Sequence, residues 1–314
     1  MAEFTAELLD RPAVQAACAV ALAYLDDTTA AAARLEDHSD SEALHDLRVA
    51  LRRLRVTVRA YPGLHESVPK KQRRRLRKLA RVTNSARDAE VQIAWFRDRS
   101  VRFTPAQRAA LAPLRARLRA RRRRELARTQ LKLQRWFGKL ERRLRRRLAA
   151  VQSDAGAHEP PFRAVAAATL VQHAGELSAR LGEASPSAAP RELHATRIAV
   201  KRLRYLLEPV AAGLPDGRAL LERLKTLQDL FGGLTDAHEL EVALKDGEEA
   251  AAVVVSVLRG EVADHFTKLK DEWSKAGPGM EREIEIAAQR LRPAAKPSRS
   301  FQGPARRRRR DVTA

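Results

Sequence analysis

One pattern of twelve residues occurs twice in this chain, and it constrains the fold more than any other feature. Residues 44–55 read LHDLRVALRRLR and residues 193–204 read LHATRIAVKRLR, at a constant offset of 149. A second block follows each copy at an offset of 148, where residues 76–79 match 224–227 and residues 87–88 match 235–236. Two blocks in the same order and at nearly the same offset indicate a duplicated structural unit.

Almost the whole chain has the spacing of apolar residues that is typical of α-helices, and no alternating β pattern is longer than a few residues. Ala, Leu, Arg and Glu dominate, and all four favour helices. The segment SDAGAHEPP at 153–161 predicts a linker. We expect helices at about 11–37, 41–61, 67–99 and 104–151 before it, and at about 161–182, 190–212, 217–245, 248–276 and 280–291 after it.

The sequence therefore predicts an all-α fold of two tandem four-helix bundles. The first repeat takes residues 1–152 and the second takes residues 153–292. Prolines and the arginine run at 306–310 make the last segment, residues 293–314, a predicted disordered basic tail.

Positive charge is concentrated in the first repeat. The chain has 61 Lys and Arg against 39 Asp and Glu, a formal net charge of +22. Residues 1–152 hold 36 basic and 16 acidic side chains, whereas residues 153–314 hold 25 and 23. This distribution implies an anionic partner that binds mainly on one side of the molecule.

Composition excludes several classes of protein. Hydrophobic residues at 44% exclude a wholly disordered polycation, and the single Cys18 excludes a disulfide framework. No apolar run approaches the ~20 residues that a membrane span needs, and Glu3 and Glu7 are unlike a signal peptide. We expect a cytoplasmic protein with no membrane partner, and we predict no oligomeric state.

The repeated segment places a cationic stripe beside an apolar one. With His45 at 0° on a helical wheel, four arginines of the same helix lie within about 80° of it. They are Arg48, Arg52, Arg55 and Arg59. The second copy repeats the stripe with His194, Arg197, Lys201 and Arg204. Because the neighbouring leucines must pack into a bundle, we expect the cationic stripe to border a groove.

The helix that follows the first copy adds further positive charge. Arg74, Arg77 and Arg81 share one face with Lys70. In the second half only Lys225 matches this set clearly, and acidic residues neighbour it. We therefore expect an asymmetric groove that is more cationic on the side of the first repeat.

Like charges on one helix face repel each other by a few tenths of a kcal/mol per pair, so a row of them calls for a binding partner. An oligophosphate fits the stripe, since guanidinium groups hold phosphate oxygens bidentately. An ordinary solvated surface is the alternative, and it fits less well because the stripe contains no acid, borders the core and recurs.

The two histidines are open to three roles. His45 and His194 could each donate a hydrogen bond to an oxyanion, could pack or cap the helix, or could ligate a metal. No other His or Cys has ligand spacing to them, and we predict no metal site, no cofactor and no catalytic residue. Asp88 and Asp236 are expected to form ion pairs or caps, and Trp136 is expected to lie in the core.

The doubled motif resembles the CHAD family, the conserved histidine α-helical domain. The resemblance rests on residues 44–55 and 193–205 together with the Arg87-Asp88 and Thr235-Asp236 blocks, and it covers about residues 10–292. It implies a pseudo-twofold pair of four-helix bundles around a basic groove or central cavity. It also implies binding of inorganic polyphosphate and, in bacteria, association with polyphosphate granules.

Some CHAD proteins carry a CYTH triphosphatase domain with an ExExK motif, which the sequence at 281–286 lacks. The leading expectation is thus a non-enzymatic, stand-alone polyphosphate-binding protein. The alternative is a nucleic-acid-binding protein that uses the arginine-rich helix at 115–147 and the tail. Few aromatic residues are available to stack on bases, which weighs against this alternative.

Overall fold

A computed structural model of the chain describes residues 2–37, 39–154, 159–183, 190–244 and 250–291. The predicted disordered tail at 293–314 lies outside the described residues, as do residues 155–158 of the predicted linker.

The described residues form helices and contain no strand, which confirms the all-α class. The helices are α1 (Ala13–Arg34), α2 (Ala43–Ala60), α3 (Pro62–Ser67), α4 (Lys70–Val82), α5 (Asn84–Asp98), α6 (Pro105–Ala110), α7 (Ala112–Asp154), α8 (Phe162–Glu183), α9 (Pro190–Leu207), α10 (Gly217–Leu244) and α11 (Ala250–Leu291). None of these helices combines the length and the apolar character that crossing a lipid bilayer requires.

Several predicted helix boundaries were wrong, and three of the errors divide or join helices. The helix expected at 67–99 is divided at Thr83, whose buried hydroxyl donates to the Ala80 carbonyl oxygen at 2.8 Å. The helix expected at 104–151 is divided at Leu111, because Pro113 lacks the amide hydrogen that would continue the helix. Conversely, the helices expected at 248–276 and 280–291 form the single helix α11, which packs against α8 and α10.

The helices of each half contact mainly one another. α1 packs on α2 and α7, and α7 packs on α4 and α5, while α8 and α10 both pack on α9 and α11. One buried apolar cluster nevertheless contains residues of both halves, from Leu8 to Leu291. The division into two tandem four-helix bundles stays a prediction, since the two halves share their core.

The halves also meet through backbone and charge. The Phe162 amide donates to the Arg11 carbonyl at 2.8 Å, so α8 begins beside α1. At the crossing of α2 and α9, Arg53 donates two hydrogen bonds to the Glu208 carboxylate, at 2.7 and 2.9 Å. Their side chains are only 10% and 13% exposed, so this is a mostly buried ion pair between the repeats.

Glu208→Ala should lower the free energy of unfolding by about 3 kcal/mol, because it leaves the buried Arg53 guanidinium without its carboxylate. Denaturant unfolding measures this loss. The matched control is Asp216→Ala, which removes the exposed partner of Arg290 and should cost less than about 0.5 kcal/mol. Equal losses in the two variants would contradict a structural role for the buried pair.

Candidate anion-binding site

The two repeated stripes meet where α2 contacts α9. Arg48 and Arg52 of α2 lie close enough to Arg197 and Lys201 of α9 for their positive charges to repel one another. We call these four residues the central cluster. The structure thus brings together side chains that are 149 residues apart in the sequence.

Arg48 is held by the residues at the break between α4 and α5. Its Nη1 atom donates to the Thr83 hydroxyl at 2.9 Å and to the Asn84 side-chain oxygen at 2.7 Å. The break, which the sequence pattern does not predict, therefore has a consequence for the site, because it supplies both acceptors. The guanidinium is fixed in position without being neutralised by these two groups.

Arg197 is held differently, although it occupies the equivalent position. The residue that corresponds to Asn84 at the offset of 148 is Gly232, which has no side chain to accept a hydrogen bond. Arg197 Nη1 instead lies 3.3 Å from an Asp236 carboxylate oxygen. This confirms the expected ion pair for Asp236. The Nε atom of Arg197 is buried without a hydrogen-bond partner in the described part of the chain.

Lys201 is the most perturbed base of the site. Burial, together with repulsion from Arg52 and Arg197, lowers its pKa from 10.5 to about 6. Burial and the charge of Arg52 also lower the pKa of Arg48, to about 10. Among the described residues, no carboxylate lies within 4 Å of Arg52 or Lys201. The described residues therefore neutralise the positive charge of the cluster only in part.

Acidic residues from α5 and α10 border this cluster. Asp88, Asp236 and Glu239 interact electrostatically with one another and with Arg48 and Arg197. Loss of hydration raises the pKa of Asp88 and of Glu239, and repulsion between the carboxylates adds to it. The stripes on α2 and α9 are free of acid as expected, but the surrounding groove is not, since tertiary packing brings these carboxylates in from other helices.

The flank on the side of the first repeat is strongly cationic. Arg55 interacts with Arg59 on its own helix and with Arg77 and Arg81 on α4, and together with burial these charges lower its pKa. Arg77 and Arg81 are exposed. Lys70 and Arg74 are exposed on the same helix. The structure thus joins the predicted cations of α2 and α4 into one surface.

The flank on the side of the second repeat is more nearly neutral. Arg204 pairs with Glu208 at 3.4 Å and lies over the Tyr205 ring, 4.9 Å from its centroid. Lys225 is exposed and lies 3.9 Å from the Glu222 carboxylate. These two predicted site residues are therefore drawn toward acids of their own half, which agrees with the expected asymmetry.

Both repeated histidines have a lowered pKa. Burial and the charge of Arg87 lower the pKa of His45. Burial together with Arg197 and Lys201 lowers the pKa of His194, which lies at the edge of the central cluster. Each ring is thus neutral at pH 7 and has one N–H to donate.

Sequence reasoning missed three residues of the site: Thr83, Asn84 and Glu239. Repeat matching does not single out Asn84, because at the offset of Asp88 and Asp236 its counterpart is Gly232. In the described ranges, no group of three or more His, Cys, Asp or Glu side chains is arranged to hold a metal ion.

Comparison with known proteins agrees with this architecture. The family model of the CHAD domain matches residues 19–245. A crystal structure of the CHAD domain from the plant Ricinus communis is 21% identical, with a TM-score of 0.64, and the match covers 93% of this chain and 98% of that one. PptA from Streptomyces chartreusis is 16% identical, with a TM-score of 0.58, and the match covers 89% and 99%.

At these identities the two structures establish the fold alone. No curated protein matches the chain significantly. The family model, however, covers well over half of the residues and includes both copies of the histidine motif. This chain belongs to the CHAD domain family.

Proposed function

We propose that this protein binds inorganic polyphosphate, without turning it over, at the central cluster. The observation that carries the proposal is the meeting of Arg48 and Arg52 with Arg197 and Lys201, with their positive charge left partly uncompensated. Membership of the CHAD family supports it, since that family is associated with polyphosphate binding in general.

Polyphosphate suits the chemistry of these side chains. Each guanidinium can hold two phosphate oxygens in a fork, while the Lys201 ammonium acts as a compact point charge. The neutral rings of His45 and His194 each have one N–H available for a further oxygen. A row of linked phosphates would contact cations of both repeats at once.

The cationic flank favours one path for the bound polyphosphate chain. From the central cluster, Arg55 and Arg59 continue along α2 toward Arg77 and Arg81 on α4. In the other half, Arg204 and Lys225 lie beside Glu208 and Glu222. We expect the chain to leave the cluster over the first repeat.

A binding role also suits the carboxylates near the cluster. Asp236 pairs with Arg197 and so holds its guanidinium, rather than standing free as a general base. A protein that binds polyphosphate without reacting with it would accumulate where the polymer accumulates. We therefore propose that this protein associates with polyphosphate granules in the cytoplasm.

The alternative function, nucleic-acid binding, depends on the helix at 115–147 and on the tail at 293–314, which lies outside the described residues. Deleting the tail separates the two functions. If DNA binding is lost while polyphosphate binding persists, contact with DNA is incidental.

The double variant Arg52→Gln with Lys201→Gln should weaken binding of long-chain polyphosphate at least ten-fold, because it removes the charge of Arg52 and the amine that becomes charged on binding. Isothermal titration measures the affinity. The matched control is Arg218→Gln with Lys268→Gln, which removes two exposed charges from α10 and α11.

The control should bind within about two-fold of the unmodified protein. Circular dichroism of all three proteins checks that helicity is retained. Equal affinities for the double variant and the control would overturn the proposed site.

Polyphosphate binding should be accompanied by proton uptake. The pKa of Lys201 is about 6 in the free protein, and a neighbouring phosphate raises it. At about pH 8.5 the amine is neutral before binding and takes up as much as about one proton on binding, so affinity falls as pH rises. Titrations in buffers of different ionisation enthalpy count the protons.

Long chains suit this measurement because their titrating terminal groups are few. Lys201→Met should abolish most of the proton uptake at this pH, because the pH lies far above the pKa of the histidines, which therefore take up little. Uptake that is unchanged in this variant would show that Lys201 is not in contact with the ligand.

A further inference from the structure

The long helix α7 carries a second, separate row of positive charge. On a helical wheel, nine of its residues fall within about 80° of one another. They are Arg117, Arg121, Arg124, Arg128, Lys132, Arg135, Lys139, Arg142 and Arg146. Every residue between 117 and 146 that falls within this arc is Arg or Lys. We call this row the α7 ridge, and it is about 43 Å long.

The ridge faces solvent. Seven of its nine members are exposed, and only Arg121 and Lys132 are partly buried. Within the described residues, Glu125 is the one acid within 4 Å of the ridge, at 3.6 Å from Arg124 and 3.9 Å from Arg128. At exposed sites, contacts of this length are weak.

Packing does not account for the ridge. The opposite side of α7 is apolar, and Leu133, Leu140 and Leu144 on it are buried in the core. Successive cations at spacings of three and four residues repel each other along the whole row, by a few tenths of a kcal/mol per pair. A mixture of Glu and Lys would keep the helix soluble without this repulsion.

The ridge comes close to the central cluster at one point. Arg121 donates a hydrogen bond to the Ser85 hydroxyl on α5 at 3.3 Å. It also interacts electrostatically with Asp88, as Arg48 of the central cluster does. Arg121 and Arg48 thus both lie near Asp88, so the ridge approaches the central cluster at α5.

The shape of the ridge selects a class of ligand. Its cations form a nearly straight row, whereas the phosphates of a duplex wind around the helix axis and leave such a row after a few contacts. A flexible single-stranded polyanion can follow its whole length. Single-stranded nucleic acid gains much of its affinity from aromatic stacking. No ridge member is aromatic, and Trp136 lies beside the ridge with Lys78 Nζ 5.9 Å from its ring centroid.

Trp136 is itself 40% exposed, contrary to its predicted place in the core, because it lies at the edge of the packed face of α7. This one partly covered ring could stack on a single base. A single stacking site along a ridge of about 43 Å would contribute little affinity for a nucleic acid.

The geometry points to the α7 ridge as a second binding track for long-chain polyphosphate, which approaches the central cluster at Arg121. This inference rests on the proposed function. A chain longer than the central cluster would run onto the ridge, so that the protein holds long chains more tightly than short ones.

The experiment compares three ligands and two variants. The ridge variant carries Arg135→Gln, Lys139→Gln and Arg142→Gln, which are exposed and far along the helix from Arg121. The matched control carries Arg218→Gln, Lys268→Gln and Lys270→Gln, three exposed cations on α10 and α11. Three ligands are each titrated over a range of salt concentrations: tripolyphosphate, which is too short to span both surfaces, long-chain polyphosphate and single-stranded RNA.

The ridge variant should bind long-chain polyphosphate at least five-fold more weakly than the control does, with a slope of log K against log salt that is smaller by about two. Its affinity for tripolyphosphate should match the control. If the ridge variant binds long-chain polyphosphate with the affinity and salt slope of the control, the proposal that the ridge binds polyphosphate is overturned. Loss of single-stranded RNA binding with intact long-chain polyphosphate binding would also overturn it, in favour of a nucleic-acid surface.

The two proposals fail separately. If the unmodified protein binds neither tripolyphosphate nor long-chain polyphosphate, the proposed function is wrong and the ridge inference falls with it. If tripolyphosphate binds with equal affinity to all three proteins and only the long-chain advantage is absent from the unmodified protein, the central site stands and the ridge is wrong.

Discussion

The structure depends on holding two cationic helix faces against each other. Where α2 crosses α9, Arg48 and Arg52 lie beside Arg197 and Lys201, and their charges repel. The apolar sides of the same helices pack into a core that is shared by both halves, and this burial offsets the repulsion. The buried pair of Arg53 and Glu208 adds a charge-assisted link at the crossing. The folded protein therefore carries partly uncompensated positive charge at this crossing, and an anion can neutralise it.

The perturbed amine of Lys201 is a direct consequence of this repulsion. In the free protein, the site lowers its own repulsion by releasing a proton from Lys201, whose pKa is about 6. The guanidiniums stay charged, and Thr83, Asn84 and Asp236 fix two of them in place. A site of this kind is arranged before the ligand arrives, so less conformational entropy is lost on binding. The acids Asp88 and Glu239 place negative charge at its border.

Much of the site is predictable from the sequence because the motif is duplicated. The offset of 149 is enough to place His45 and His194, and the cations that follow each of them, on equivalent helix faces. The repeat does not show which cations meet, since that depends on how α2 crosses α9. Arg204 illustrates the limit: it belongs to the predicted stripe, yet it pairs with Glu208, one turn further along the chain. The helix break at Thr83 is equally hidden, because a buried hydroxyl that serves Arg48 looks like any threonine in a helical run.

The central claim is that the positive charge forms a dedicated site rather than a generic polycation. It is tested most directly by competition at about 150 mM salt, where exposed charges are screened beyond about 8 Å. Labelled long-chain polyphosphate is bound first and then challenged with unlabelled polyphosphate, duplex DNA, single-stranded RNA and ATP. The account predicts that polyphosphate displaces the label at far lower phosphate concentration than the other three. Equal displacement per phosphate by DNA or RNA would contradict it.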